Sequence, residues 1–116
     1  MALDNLTRLG HMRDAATEAM TFMANRSKTN LENDRMLLLA VVKDLEIIGE
    51  AARNVSADCR DRHPQLPWVD MISMRNRLTH AYFGIDLDIV WDTVTNDLSV
   101  LIAELDRIIQ IESQTS

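Results

Sequence analysis

Glycine, proline, cysteine and aromatic residues are all scarce: 3 glycines, 2 prolines and 1 cysteine in 116 residues, with aromatics at 4%. So few chain breakers leave little material for long loops or tight hairpins. The single cysteine, Cys59, excludes an internal disulfide and any multi-cysteine metal cluster. No apolar run approaches the ~18 to 20 residues that a membrane crossing needs. The N-terminus also lacks the basic, apolar and small-residue order of a secretory leader. One soluble cytoplasmic domain spanning residues 1–116 is expected. Positive charge is short as well: 12 Lys+Arg stand against 18 Asp+Glu, for a formal net charge of -6. That balance withholds the broad basic surface on which nonspecific nucleic-acid binding depends, but leaves room for a small basic pocket.

What remains is a chain that is 47% hydrophobic and 26% charged, the balance of a folded domain. Its apolar residues recur in threes and fours. Leu6, Leu9, Ala16, Met20 and Met23 line one side of a helix from Asp4, a capping residue, to about Ala24, and the polar run Asn25 to Asn30 ends it. A second, broadly apolar helix is expected from Asn33 or Asp34 to about Cys59, central because its apolar surface covers more than one stripe. Gly49 inside it costs about 1 kcal/mol in propensity, which a close helix crossing would offset. Pro64 and Pro67 mark a break, with His63 an ordinary turn residue, and a short third helix is expected from Trp68 to roughly Ala81. Gly84 interrupts the pattern again. Asp86 caps a fourth helix, Ile85 and Val90 occupy staple positions, and the tail from Glu112 is expected to fray. No stretch alternates with period two, so the expected class is an all-α bundle.

The chemistry concentrates in Met74-Arg75-Asn76-Arg77-Leu78-Thr79-His80-Ala81-Tyr82-Phe83-Gly84. A continuous helix would set Asn76 and His80 on one side, Arg75 and Thr79 on another, and Arg75 and His80 roughly 140 degrees apart. A guanidinium offers a rigid fork of donors to phosphate oxygens, and an imidazole can take or give a proton near neutral pH. Asn76 can orient the imidazole, Arg77 adds positive potential, and Tyr82 can stack a base or donate to phosphate. The same residues also admit a structural reading, with Arg75 paired to Asp70 or Asp86, His80 capping the helix, and Tyr82-Phe83 packed at the turn. Asp86, Asp88 and Asp92 read as a capped helix start rather than a Mg²⁺ site. Glu46, Glu50 and Arg53 read as surface ion pairs, with Glu46 alternatively turned to the cleft.

Arg75-Asn76-Arg77-Leu78-Thr79-His80-Ala81-Tyr82 resembles the Arg-x4-His-x-Tyr motif of the HEPN superfamily, in particular its HepT branch of toxin ribonucleases. Leu45-Glu46-Ile47-Ile48-Gly49-Glu50-Ala51-Ala52, Pro67-Trp68, Tyr82-Phe83-Gly84-Ile85-Asp86 and Ile89-Val90-Trp91 resemble further blocks of that branch in the same order. The resemblance implies a four-to-five-helix up-and-down bundle of HEPN type. It further implies a homodimer with the two motifs facing one another, and cofactor-free, metal-independent cleavage of cellular RNA, with tRNA among the targets. Arg75 and His80 take the catalytic positions, and Asn76, Arg77 and Tyr82 supporting ones. It also implies a partner, a minimal nucleotidyltransferase antitoxin that adenylylates Tyr82. The rival reading is a noncatalytic helical subunit that pairs with such a nucleotidyltransferase.

Overall fold

The computed structural model describes residues 4–80 and 84–115, apart from the side chains of His80 and Thr115. Helices α1 (Asn5–Met23), α2 (Lys28–Asn33), α3 (Arg35–Asn54) and α4 (Ala57–Arg62) come first. Two short helices, α5 (Trp68–Ile72) and α6 (Met74–Leu78), then lead into an antiparallel pairing of β1 (Thr79–His80) with β2 (Gly84–Ile85). Helix α7 (Leu87–Asp92), a π-helical turn (Thr93–Asp97) and α8 (Leu98–Thr115) follow end to end, with right-handed helical dihedrals at both joins. Among the described residues no helix is long and apolar enough to cross a membrane.

Each long helix starts where a short polar side chain can satisfy a free N–H. Asp4 accepts from the Thr7 amide at 2.8 Å, Asp34 from Leu37 at 3.1 Å and Asp86 from Ile89 at 3.2 Å. Helix α1 buries Leu9, Met12, Ala15, Ala16, Ala19 and Met23, and its small alanines allow close packing against α3. Helix α3 contributes Leu37, Leu38, Val41, Val42, Leu45, Ile48, Ala51 and Ala52 to the core and touches α1, α2, α5 and α6. It is the central helix that its wide apolar surface implied.

Several expectations are corrected. Asn25, at φ 61, ends α1, but the polar run then forms α2: the Ser27 amide donates to Asn30 Oδ1 at 2.7 Å, and fully buried Leu31 seats the helix. The second helix stops at Asn54 rather than Cys59, because extended Val55 lets Ser56 cap a separate α4. Asn5 holds that turn twice over: its Oδ1 accepts from the Ser56 amide at 2.9 Å and its Nδ2 donates to the Ser56 hydroxyl at 3.0 Å. Glu112 does not fray. It is 7% exposed and accepts from Arg62 and His63, so α8 stays helical to Thr115.

Asp44 is the odd residue of the α1–α3 contact. It is 2% exposed, and its Oδ2 is buried without a hydrogen-bond partner in the protein. Burial, and then the Glu18 carboxylate beside it, pushes its carboxyl up to about 7 from 3.8. The folded state thus prefers protonated Asp44. That preference is fully present below the unfolded value and is lost as pH rises through about 7. Asp44→Asn is therefore expected to add about 4 kcal/mol near pH 8 and less than about 1 near pH 4. Urea unfolding of both proteins across that range checks it; parallel pH profiles would refute the assignment.

Candidate active site

The segment carrying Arg75 is placed by a contact that only glycine permits. A Cβ on Gly49 would lie 2.5 Å from the Met71 carbonyl oxygen, so α5 crosses α3 with backbone against backbone. Pro64 and Pro67 bend the chain into this crossing, and Trp68 Nε1 donates to the His63 carbonyl at 2.9 Å across the bend. Ser73, at φ -87 and ψ 7, divides the expected single third helix into α5 and α6. Met74 and Leu78, four residues apart, both point into the core at 5% and 0% exposure. Arg75, Asn76 and Arg77 between them are therefore turned outward and exposed.

The helix does not continue to Ala81. Thr79 is extended, and the carbonyls left at the end of α6 are met from elsewhere: Thr79 Oγ1 donates to the Arg75 carbonyl at 2.9 Å and the Asp86 amide to the Leu78 carbonyl at 2.7 Å. His80 and Gly84 pair across the strands, with Gly84 at φ 77. The same-face helical pairings expected for Asn76 with His80 and Arg75 with Thr79 do not apply, since the latter member of each is on a strand. Tyr82, with Ala81 and Phe83, lies outside the described residues, as does the His80 side chain.

Arg75 lines a cleft of about 270 Å³ between α3 and the α5–α6 segment, together with Lys43, Glu46, Glu50, Arg53 and Ile72. None of the five charged side chains makes an ion pair with a described residue. This overturns both the surface pairing of Glu50 with Arg53 and the pairing of Arg75 with Asp70 or Asp86. It places Glu46 at the cleft, the alternative reading. Three cations against two carboxylates give the cleft a net charge of +1 on a chain that carries -6. Arg77 turns the other way: its Nη1 donates to the Asp70 carbonyl at 3.5 Å, beside a cavity of about 330 Å³ against α8.

Lys43 and Arg53 are the cleft residues that motif reading missed. A signal was available: Met36, Leu39, Lys43, Glu46, Glu50 and Arg53 alternate in steps of three and four, which puts them on one stripe of α3. Met36 and Leu39 continue that stripe as exposed apolar residues, at 82% and 46%.

Fold and cleft together define a small helical domain with a basic recess suited to an anionic substrate. The Ribonuclease HepT-like family matches residues 12–108, and the chain belongs to that family of ribonucleases. It is similar to a probable ribonuclease HepT from Thermococcus cleftensis, 41% identical over 75 residues that cover 65% of this chain and 68% of that protein. A relative from Methanocaldococcus jannaschii, named as a candidate RNase, is 36% identical over 93 residues, covering 80% of this chain and 85% of its own. No solved structure matches the chain.

The crossing at Gly49 gives a test whose sign is diagnostic. In a free helix Gly→Ala stabilises by about 1 kcal/mol. Here Gly49→Ala is expected to destabilise by about 2 kcal/mol, because the Met71 carbonyl must retreat, and to lower RNA cleavage by displacing Arg75. Denaturant unfolding settles the point: a variant as stable as the parent would mean that the crossing is not close.

Proposed function

We propose that the chain is a metal-independent endoribonuclease toxin whose site is completed by a second copy. The observation that carries this is the cluster of Arg75, Lys43 and Arg53 in one cleft, each without an ion-pair partner among the described residues, in a member of a ribonuclease family. Arg75 holds the nonbridging oxygens of the scissile phosphate, where negative charge grows as the ribose 2′-oxygen attacks. One His80 takes the 2′-hydroxyl proton while the other protonates the departing 5′-oxygen, so the proton balance closes across the pair. Asn76 assists in binding, and Arg77, turned toward the α8 side, adds positive potential. Support for the homodimer comes from the α3 stripe: exposed Met36 and Leu39 continue directly from the cleft, and a step of three and four is the spacing by which two helices pack. Cellular RNA, tRNA among it, is the proposed substrate.

The sequence resemblance supports the regulation. A minimal nucleotidyltransferase antitoxin adenylylates Tyr82, which adds bulk and negative charge beside the motif and repels the substrate phosphate.

Arg75→Ala and His80→Ala, assayed as purified, unmodified proteins on RNA in EDTA, should each lose at least about 100-fold in cleavage rate. Far-ultraviolet circular dichroism and the oligomeric state should stay unchanged. Cleavage equal to the parent's in either variant would remove the site.

Co-expression with a minimal nucleotidyltransferase should add mass in units of AMP to the peptide carrying Tyr82, and Tyr82→Phe should abolish the increment. The increment on any other residue would end the regulatory assignment and leave the nuclease assignment standing.

A further inference from the structure

Three chemically reactive groups converge at the far end of α4, away from the Arg75 cleft. Cys59 lies in α4, His63 follows it by one turn as the cap, and Glu112 comes from the end of α8. One ligand atom from each, Cys59 Sγ, a His63 ring nitrogen and a Glu112 carboxylate oxygen, lies within 4.8 Å of the other two. All three residues are buried, at 0%, 5% and 7% exposure. Among the described residues this is the one group of three or more such side chains that meets so closely. Sequence reading treated Cys59 as a lone thiol, His63 as a turn residue and Glu112 as part of a loose tail.

The geometry around Glu112 divides its two oxygens. Oε1 accepts from Arg62 Nη2 at 2.7 Å, while Oε2 faces His63 Nε2 at 2.8 Å with a longer bond from Arg62 Nε at 3.2 Å. Arg62 thereby orients the carboxylate from outside, with Oε2 turned to the histidine, the usual task of a residue supporting a metal ligand. The bond from Trp68 Nε1 to the His63 carbonyl fixes the histidine backbone in the same way. A thiolate sulfur, an imidazole nitrogen and a single carboxylate oxygen form a donor set for zinc; magnesium and calcium take oxygen alone.

We propose that Cys59, His63 and Glu112 bind a zinc ion that fastens α4 to the end of α8. Tetrahedral zinc with N and O ligands at about 2.0–2.1 Å sets them roughly 3.3 Å apart, so the His63–Glu112 pair opens by about half an ångström, within a small rotation of the glutamate. A water from the solvent-filled hollow lined by Arg62, Gln65 and Arg107 takes the fourth position. On binding, the Cys59 thiol proton leaves to solvent. His63 coordinates through a ring nitrogen that carries no proton, and thiolate and carboxylate balance the charge of the metal.

The probe is cobalt(II), titrated into the full chain after chelator treatment. One equivalent should produce a thiolate-to-cobalt charge-transfer band together with strong tetrahedral visible bands, both removed by zinc. Zinc alone at about 100 times its dissociation constant should raise the thermal midpoint by roughly 10 °C. Cys59→Ala should lose the band and the thermal shift. Glu112→Gln keeps one oxygen to accept from Arg62 but loses the ligand charge, and should weaken cobalt binding at least tenfold, a readout that holds if the cysteine variant folds poorly. RNA cleavage by Cys59→Ala in EDTA should persist, which separates this site from the Arg75 cleft. A parent protein without the charge-transfer band, or a Glu112→Gln protein that binds cobalt as tightly as the parent, overturns the proposal.

Discussion

The contact of the Met71 carbonyl with the bare backbone of Gly49 decides where the functional segment can go. Helices normally keep their axes 8–10 Å apart because side chains stand between them. At Gly49 nothing stands there, and α5 settles onto α3 far enough for Met71, Met74 and Leu78 to reach the core. With those three residues inward, Arg75 has one direction left, along the α3 surface toward Lys43 and Arg53. The glycine is thus a structural residue with a functional consequence: its missing methyl sets the width of the cleft.

Electrostatics within that cleft reconcile an acidic protein with a polyanionic substrate. Binding a long nucleic acid by counterion release needs many phosphate contacts, which a chain of net charge -6 does not offer. A single phosphodiester needs far less, namely a concentrated donor cluster with the competing carboxylates held alongside. Here several acidic residues elsewhere are committed: Asp4, Asp34 and Asp86 cap helices, Asp88 pairs with Lys28, and Glu104 with Arg107. The cations of the cleft pair with none of the described residues. Local charge therefore departs in sign from the total, and an acidic surface outside the cleft favours short-range recognition over sliding along RNA.

Most of the helical frame was legible in the sequence because it is encoded locally. Period, capping aspartates and the two prolines all act within a turn or two of their own positions, and the starts of α1, α3 and α7 and the break before Trp68 fall where those signals put them. Features decided by distant partners were not legible. The stop at Asn54 depends on Asn5 reaching Ser56 across 51 residues, and the burial of His63 depends on Glu112, 49 residues away. The motif itself divides in the same way. Its outward arginines follow from the spacing of Met74 and Leu78, but that Arg75 and Arg77 face different hollows follows from α3 on one side and α8 on the other. A helix extended through His80 was a reasonable local expectation. It fails because the Leu78 carbonyl finds the Asp86 amide, a partner that exists only once the chain has turned back at Gly84.

This return of the chain has a mechanical implication for His80. A histidine on the last turn of a helix would inherit the position of that helix, whereas His80 sits on a two-residue strand paired to Gly84 and bounded by the Asp86 cap. Its backbone is therefore tied to the start of α7 as well as to α6, while Arg75 answers to α3. The two motif residues are positioned by different contacts. Their relative placement then depends on how firmly α6 and α7 hold together, and fully buried Leu78 and Val90 anchor that junction in the core. A motif divided in this way can be displaced from either side: by shifting α5 off Gly49, or by disturbing the pairing of β1 with β2, without replacing Arg75 or His80.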